Sequence, residues 1–481
     1  MNRKMVFYTC GQMLLLEAVL LVLPLITALI YRERCSIAIL IAIGVALFIG
    51  ALIMVISKPK DTVIYSREGF IITALTWVMF SAVGALPFVI SGEIPSYIDA
   101  FFETVSGFTT TGASILTNVE AMSHGLLMWR SFTHWVGGMG ILVMVMAVAP
   151  MMTDRSIHIM RAEMPGPVVG KLVPRVRQTA KILYIMYIVL TLVEMVLLLF
   201  GGMNLFEAVT HAFGTAGTGG FGIKGDSLAS YSPYLQWVIT IFMFIFGINF
   251  NLYYLALIKR FKAVFSSEEL WTYFGMVIIA ISAIAVNIHS MYDTVSETIR
   301  QSAFQVMSIV STTGYATTDF DLWPQFSKTI ILLLMIVGAC AGSTAGGLKV
   351  SRVVMMFKSA RRELKRMLHP RSVSVVRFEG KPLDDQTISS VSIYFVLYIA
   401  IILVVLLLIS FEPFNFETRF SSVLACFNNI GPGLGAVGPT CSFAEYTGFS
   451  KIVLSIAMLL GRLEIYPMLF ALSPSVWVKK S

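Results

Sequence analysis

A chain of 481 residues that is 57% hydrophobic and 13% charged, with a mean hydropathy of +0.81, departs from soluble domains, where about 45–50% apolar and roughly 25% charged residues are usual. Its 35 Lys/Arg and 27 Asp/Glu are spread as short punctuation between apolar runs, which excludes a large water-soluble catalytic domain and reads as an all-α, multi-pass membrane protein. The net charge of +8 is sorted by side of a bilayer and does not form a nucleic-acid-binding patch.

Apolar runs long enough to cross about 30 Å of hydrocarbon, roughly 20 residues each, lie near 13-31, 36-57, 70-92, 125-150, 179-201, 233-258, 270-289, 326-348, 388-411 and 449-478. About ten transmembrane helices are expected, with both termini cytoplasmic. The first run follows Met1 to Lys4 and imitates a secretory signal, but it is long, lacks an A-x-A site and leads at once into a second span, so it is expected to stay as a helix. With sides alternated from a cytoplasmic N-terminus, the cytoplasmic segments and span ends hold 26 Lys/Arg against 10 Asp/Glu and the outer ones 8 against 14, with Arg462, Glu17, Glu194 and Glu464 inside spans. That positive-inside bias accounts for the basic excess, although the outer loop Arg32-Glu33-Arg34 runs mildly against it. Cys10, Cys35, Cys340, Cys426 and Cys441 show neither CxxC spacing nor a histidine cluster, so they read as small inert residues.

After the hairpin at 1-60, the remaining eight spans form four pairs, and the chain divides into repeats at 61-155, 156-265, 266-370 and 371-481. Within each pair an outer, half-apolar segment reads as a short helix followed by a glycine-rich turn: Thr109-Thr110-Thr111-Gly112-Ala113, Gly217-Thr218-Gly219-Gly220-Phe221-Gly222, Ser311-Thr312-Thr313-Gly314-Tyr315 and Asn428-Asn429-Ile430-Gly431-Pro432-Gly433. Aligned on Gly112, Gly220, Gly314 and Gly431, the turns recur after 108, 94 and 117 residues, a degenerate period. Acids lie near the starts of the short helices, at Asp99/Glu103, Glu207, Glu297 and Glu417, where a helix N-terminus favours them. All four pairs run in the same sense, so the repeats are parallel about an axis along the membrane normal and enclose a central pore.

Non-helical backbone at membrane depth persists only where protein buries it or a wet cavity faces it. Four turns on one axis can offer rings of carbonyl oxygens that replace a cation's hydration shell. Glycine lets the backbone take positive φ, threonine adds a compact hydroxyl-bearing side chain, and the short helices aim their negative ends at the turns.

The eighth span contains Gly338, Gly342, Gly346 and Gly347, then Lys349. Two readings stay open: a small-residue stripe for close helix packing, or a broken helix forming a loop beneath the turns. Gly342 to Gly347 followed by Leu348-Lys349 is not a phosphate-binding G-x-x-x-x-G-K-[ST], because the lysine is displaced by one. Arg462 sits deep in the last span, where a charge costs roughly 2.5–3.5 kcal/mol. It either pairs with Glu464 or Glu194, or faces the pore as an electrostatic barrier working with the loop. Glu17 and Glu194 are expected to face protein, and His134 to be packed and hydrogen-bonded.

The strings SREGF at 66-70, GALPF at 84-88, GGMGI at 137-141, RAEMPGP at 161-167, GACAGSTAGGLKV at 338-350, ELKRMLHP at 363-370, NNIGPGLG at 428-435 and GRLE at 461-464 run the length of the chain. With them the sequence resembles the Trk/Ktr/HKT superfamily of potassium transporters, and the hairpin at 13-57 resembles its TrkH/TrkG branch. The resemblance implies four M1-P-M2 units around a pseudo-fourfold potassium pathway, with four re-entrant pore helices and a homodimer carrying one pore per subunit. It carries filter positions onto Thr110, Thr111 and Gly112, then Thr218, Gly219 and Gly220, then Thr312, Thr313 and Gly314, then Asn429, Ile430 and Gly431. It also favours a gating loop with Gly346, Gly347, Lys349 and Arg462. In such proteins a glycine in each turn goes with potassium selectivity and a serine in the first with sodium.

The basic connectors at 151-178 and 350-387 are too short for a nucleotide-binding domain, so the resemblance implies a separate cytoplasmic TrkA-like nucleotide-binding ring as partner. Potassium is the expected ion, with no organic cofactor and no enzymatic activity, since no nucleophile, base or metal constellation is visible. The expected function is potassium uptake through a gated pore across the bacterial cell membrane. The alternative is a secondary transporter (a symporter) coupling potassium to protons or sodium, which needs titratable groups along the path.

Overall fold

The computed structural model describes residues 2–60, 64–140, 176–371 and 374–477. The string at 161-167, the end of the span expected at 125-150 and nearly all of the basic connector at 151-178 lie outside the described residues.

Helices α1 (Arg3–Leu20) and α2 (Val22–Ile30) make one bent span that returns through α3 (Cys35–Ile56). The hairpin closes on small residues: a Cβ added to Gly11 would lie 2.8 Å from the Gly50 carbonyl oxygen, and one added to Gly50 2.9 Å from that of Gly11. Bare backbones therefore touch, which is how apolar helices gain dispersion contact without a hydrophobic driving force.

The first repeat contains α4 (Ser66–Gly84), α5 (Leu86–Ser91), α6 (Tyr97–Phe108) and α7 (His124–Gly138). The second contains α8 (Val176–Phe200), α9 (Leu205–Gly217), α10 (Pro233–Gly247) and α11 (Phe250–Leu257), followed by the short α12 (Phe261–Phe265). The third contains α13 (Glu268–Ile288), α14 (Val295–Val310), α15 (Gln325–Ile336) and α16 (Val350–Leu368). The fourth contains α17 (Asp385–Leu408), α18 (Phe416–Phe427), α19 (Gly448–Arg462) and α20 (Tyr466–Leu472), with α21 (Pro474–Trp477) behind it. A two-residue hairpin, β1 (Arg377–Phe378) and β2 (Lys381–Pro382), turns on Glu379 and Gly380 at φ +49 and +72.

The chain is thus an all-α membrane protein. Among the described residues six helices are long and apolar enough to span a bilayer, and a seventh span is the pair α10 and α11, bent by 90°. The first helix of the last three pairs is continuous, and in the first pair α4 and α5 join at Ala85 into one span. The second helix of each pair is not continuous: α7 stops at Gly138, α10 breaks before Asn249, α15 stops at Ile336, and α19 gives way to α20 through Glu464 and Ile465 at φ +54 and +69. The sequence had suggested a break in the eighth span alone. Packing explains two of the extra ones, since a Cβ on Gly137 or Gly461 would lie 1.8 Å from the carbonyl oxygen of Phe108 or Phe427, at the ends of α6 and α18.

The short helices α6, α9, α14 and α18 start on side-chain caps from Ser96, Asn204, Thr294 and Asn415, which satisfy first-turn N–H groups. Asp99, Glu207, Glu297 and Glu417 sit in those first turns. Glu103 does not: it lies mid-helix in α6, buried, and its carboxylate accepts from Arg130 Nε at 2.8 Å. Glu17 and Glu194 are fully buried in protein.

Candidate functional site

All four short helices end in one backbone motif. Thr110, Thr218, Thr312 and Asn429 take φ of +55, +54, +56 and +57. Their N–H groups donate three residues back, to Gly107, Thr215, Ile309 and Cys426. The next N–H groups, of Thr111, Gly219, Thr313 and Ile430, donate five residues back, to Ser106, Gly214, Ser308 and Ala425, at 2.8, 2.8, 2.9 and 2.8 Å. This is the Schellman termination, whose left-handed position normally belongs to glycine. Three of the four here are β-branched threonines, a conformation costing about 1–3 kcal/mol that persists only where surroundings over-determine it. All four residues are fully buried. Sequence reasoning assigned positive φ to the glycines; the structure adds the residue two before each of them.

The glycines follow suit, with Gly112, Gly220, Gly314 and Gly431 at φ +80, +74, +84 and +98. Each faces the next turn. A Cβ on Gly112 would lie 2.1 Å from the carbonyl oxygen of Gly219, one on Gly220 2.0 Å from that of Thr313, one on Gly314 2.0 Å from that of Ile430, and one on Gly431 2.7 Å from that of Thr111. The order 1 to 2, 2 to 3, 3 to 4 and 4 to 1 closes a ring. All four glycines line a single cavity of about 380 Å³, with Arg130, Lys224 and Glu445 among its walls. Side chains tie the ring: Asn429 Nδ2 donates to Thr111 Oγ1 at 3.0 Å, and the pairs Thr109–Thr111 and Ser311–Thr313 share hydroxyl hydrogen bonds of 2.8 and 2.7 Å.

Residues 337–349 form an irregular loop between α15 and α16, so the broken-helix reading of the eighth span holds and the continuous packing stripe does not. Its ends meet where Gly338 N–H donates to Leu348 at 2.9 Å and Val350 N–H to Ala339 at 3.2 Å. Glu269 of α13 holds both ends, its carboxylate accepting from the Ala341 and Ser351 N–H groups at 2.7 and 3.1 Å. The loop also fills the break between α10 and α11, with Cys340 N–H donating to Gly247 and Phe250 N–H to Gly342. It touches the turns directly: Gly346 N–H donates to Thr312 Oγ1 at 2.7 Å, and a Cβ on Gly346 would lie 2.5 Å from the Asn428 carbonyl oxygen. Gly347 holds φ +68, and Lys349 Nζ turns inward onto the Ala345 and Gly346 carbonyls.

Arg462 closes this arrangement from the fourth repeat. Its guanidinium donates to Thr344 in the loop at 2.8 Å and to the last carbonyls of α7, Gly137 and Gly138, at 2.5 and 2.8 Å. A cation belongs at a helix C-terminus. Of the two carboxylates named as its possible partners, Glu464 is ion-paired with Arg352, whose guanidinium stacks 3.8 Å from the Tyr394 ring centre, and Glu194 is fully buried.

Sequence reasoning missed Arg130, Glu269 and Arg352. Arg130 sits in a span that looked uniformly apolar, and its partner Glu103 resembled a helix-start acid. The Arg130 guanidinium also reaches Ser114 and the Gly222 carbonyl, joining turns 1 and 2. A polar residue inside a span was the available signal. The oxygen donors that the Thr, Ser, Asn and Gly residues of the turns offer are carbonyls and hydroxyls, a set suited to a hard cation.

Comparison with known proteins places these features in context. A family model described as TrkH, cation transport protein, matches residues 36–479. The chain is 36% identical to the Trk system potassium uptake protein TrkH of Salmonella typhimurium, over 97% of this chain and 98% of that protein. It is 32% identical to the Trk system potassium uptake protein TrkG of Escherichia coli, over 98% of each. Its fold superposes on the crystal structure of the potassium transporter TrkH from Vibrio parahaemolyticus with a TM-score of 0.89 at 31% identity, covering 99% of this chain and all of that one.

Proposed function

Because the chain belongs to the TrkH family of cation transport proteins, we propose that it takes up potassium across the bacterial cell membrane through the ring of four turns. The observation that carries the reading is the closed ring itself, in which the glycine of each turn abuts a backbone carbonyl of the next. Thr110, Thr111 and Gly112, Thr218, Gly219 and Gly220, Thr312, Thr313 and Gly314, and Asn429, Ile430 and Gly431 act as the filter. Potassium, the transported substrate, exchanges water for their oxygens. The helix C-termini behind the turns add negative potential.

The loop at 337–349 is the gate. Gly346 and Gly347 allow it to press against Thr312 and Asn428, Lys349 caps its carbonyls, and Arg462 latches it to α7 and repels cations below the ring. The repeats run 61-155, 156-265, 266-370 and 371-481 behind a hairpin at 1-60, with both termini cytoplasmic. The chain works as a homodimer, and a TrkA-like cytoplasmic nucleotide-binding ring controls the gate through the basic connectors, of which α16 carries Arg361, Arg362, Lys365 and Arg366. Coupling to protons or sodium is the weaker alternative, since the turns themselves carry no carboxylate, histidine or amine side chain.

Flux into proteoliposomes tests this. Purified protein should carry potassium and rubidium down their own gradients in preference to sodium at any pH. Sustained uphill potassium movement driven by a pH gradient alone would overturn the pore reading in favour of coupled transport.

A further inference from the structure

We propose that His134 is a positioning residue for the filter: its imidazole, held as the neutral Nδ1–H tautomer, braces turn 1 against turn 2. The inference rests on the reading of the turns as the filter. His134 lies in α7 and is fully buried. Its Nδ1 is 2.8 Å from the Gly107 carbonyl oxygen, and its Nε2 receives the Phe221 N–H at 3.2 Å. A carbonyl only accepts and a backbone N–H only donates, so one protonation state satisfies both ends: proton on Nδ1, none on Nε2. The other neutral tautomer would oppose acceptor to acceptor and donor to donor, and the cation would set two donors against each other at Phe221.

Both ends of this strut adjoin filter backbone. The Gly107 carbonyl also accepts the N–H of Thr110, the left-handed residue of turn 1, at 3.1 Å. Phe221 directly follows Gly220 of turn 2. The ring cannot drift, because the space beside it is full. A Cβ on Gly219 would lie 2.3 Å from the imidazole Cγ, and one on Gly217 2.2 Å from the His134 carbonyl oxygen. The Phe221 ring covers the imidazole at 4.2 Å between centres, and Arg130 sits 3.9 Å from the centre of Phe221. The neighbouring junctions are held differently. Tyr315 Oη donates to the His211 carbonyl between turns 3 and 2, and Asn429 joins turns 4 and 1. A fourfold ring is thus braced by unlike parts, and the imidazole sets the separation of turns 1 and 2.

The test compares wild-type protein with His134→Ala, His134→Asn and His134→Gln in proteoliposomes, measuring potassium and sodium flux, alongside nitrogen-15 NMR of histidine-labelled protein in which the His134 signal is assigned by its loss in His134→Asn. The potassium preference should fall by roughly two- to tenfold in His134→Ala, the range that one neutral hydrogen bond spans. Potassium flux should persist, and Asn or Gln, each keeping one of the two bonds, should restore part of the preference. The spectrum should show a protonated Nδ1 and a bare Nε2. An unchanged preference in all three variants, or a proton on Nε2, would overturn the proposal. If His134→Ala does not fold, the Asn and Gln variants and the spectrum decide it. A wild type without potassium preference would overturn the filter reading instead, and the spectrum would still judge the strut.

Discussion

The place a Cβ would occupy on Gly112 lies 2.1 Å from the carbonyl oxygen of Gly219, so any side chain at position 112 must push the second turn's carbonyl aside. Positive φ at Gly112 adds backbone strain for every L-residue. Gly112→Ser should therefore lower the potassium-to-sodium flux ratio while leaving a conducting, folded protein, and Gly314→Ser, facing Ile430 at 2.0 Å, should do at least as much. Gly431→Ser, with 2.7 Å to Thr111, should displace its neighbour least. Equal flux ratios for wild type and Gly112→Ser would show that this carbonyl does not set selectivity.

Arg462 makes three hydrogen bonds that join the loop to α7, and bonds to charged groups contribute about 1.5–3 kcal/mol each. Arg462→Ala should free the loop and raise potassium flux in the absence of any partner subunit. Arg462→Lys, keeping the charge but losing the fork, should fall between. Unaltered basal flux and unaltered regulation in both variants would remove Arg462 from the gate.

The buried pair of Glu103 and Arg130, at 2.8 Å with side chains 0% and 3% exposed, predicts a stability result. Removing one partner of such a pair typically costs about 3–5 kcal/mol, whereas replacing both with apolar residues often costs little. Glu103→Leu and Arg130→Met should each lower the melting temperature of the detergent-solubilised protein, and the double variant should recover part of the loss. Additive losses would mean that the two side chains are not coupled.

At the hairpin loop, the Glu33 carboxylate accepts from the N–H groups of His124 and Gly125 at 2.8 and 2.9 Å and from the His124 ring. Burial alone would raise its pKa, but these donors outweigh it and hold the group below its ordinary value. A carboxyl depressed in the folded state contributes stability above its unfolded pKa, near 4.3, and loses it as pH falls through the folded value. Melting temperature should fall on acidification below about pH 4.3, and Glu33→Gln should be less stable at neutral pH with a flatter acid limb. Parallel curves for the two proteins would discount the latch.

Composition and spacing suffice to read the membrane fold, the four turns and an acid that starts each of the four short helices, because each depends on neighbours in the chain. A run of apolar residues spans by its own length, a cap bonds within its own first turn, and a Schellman turn closes within six residues. The pairing of the glycines with the carbonyls of other turns is of another kind. Gly431 and Thr111 are brought together by closure around the ring, and no local property of either residue reports it.

The interruptions divide along the same line. The loop at 337–349 advertises itself through Gly346 and Gly347, whereas the break after Gly461 depends on Phe427 lying against it. Arg462 was visible as an expensive charge in a span, but its partners are carbonyls of Thr344, Gly137 and Gly138, and every residue has a carbonyl. By itself the sequence determined that this chain crosses a membrane and folds four similar turns. Only the tertiary structure decided which backbone groups meet at the ring, since a hydrogen bond between distant segments is specified by where helices pack and not by which residues carry the atoms.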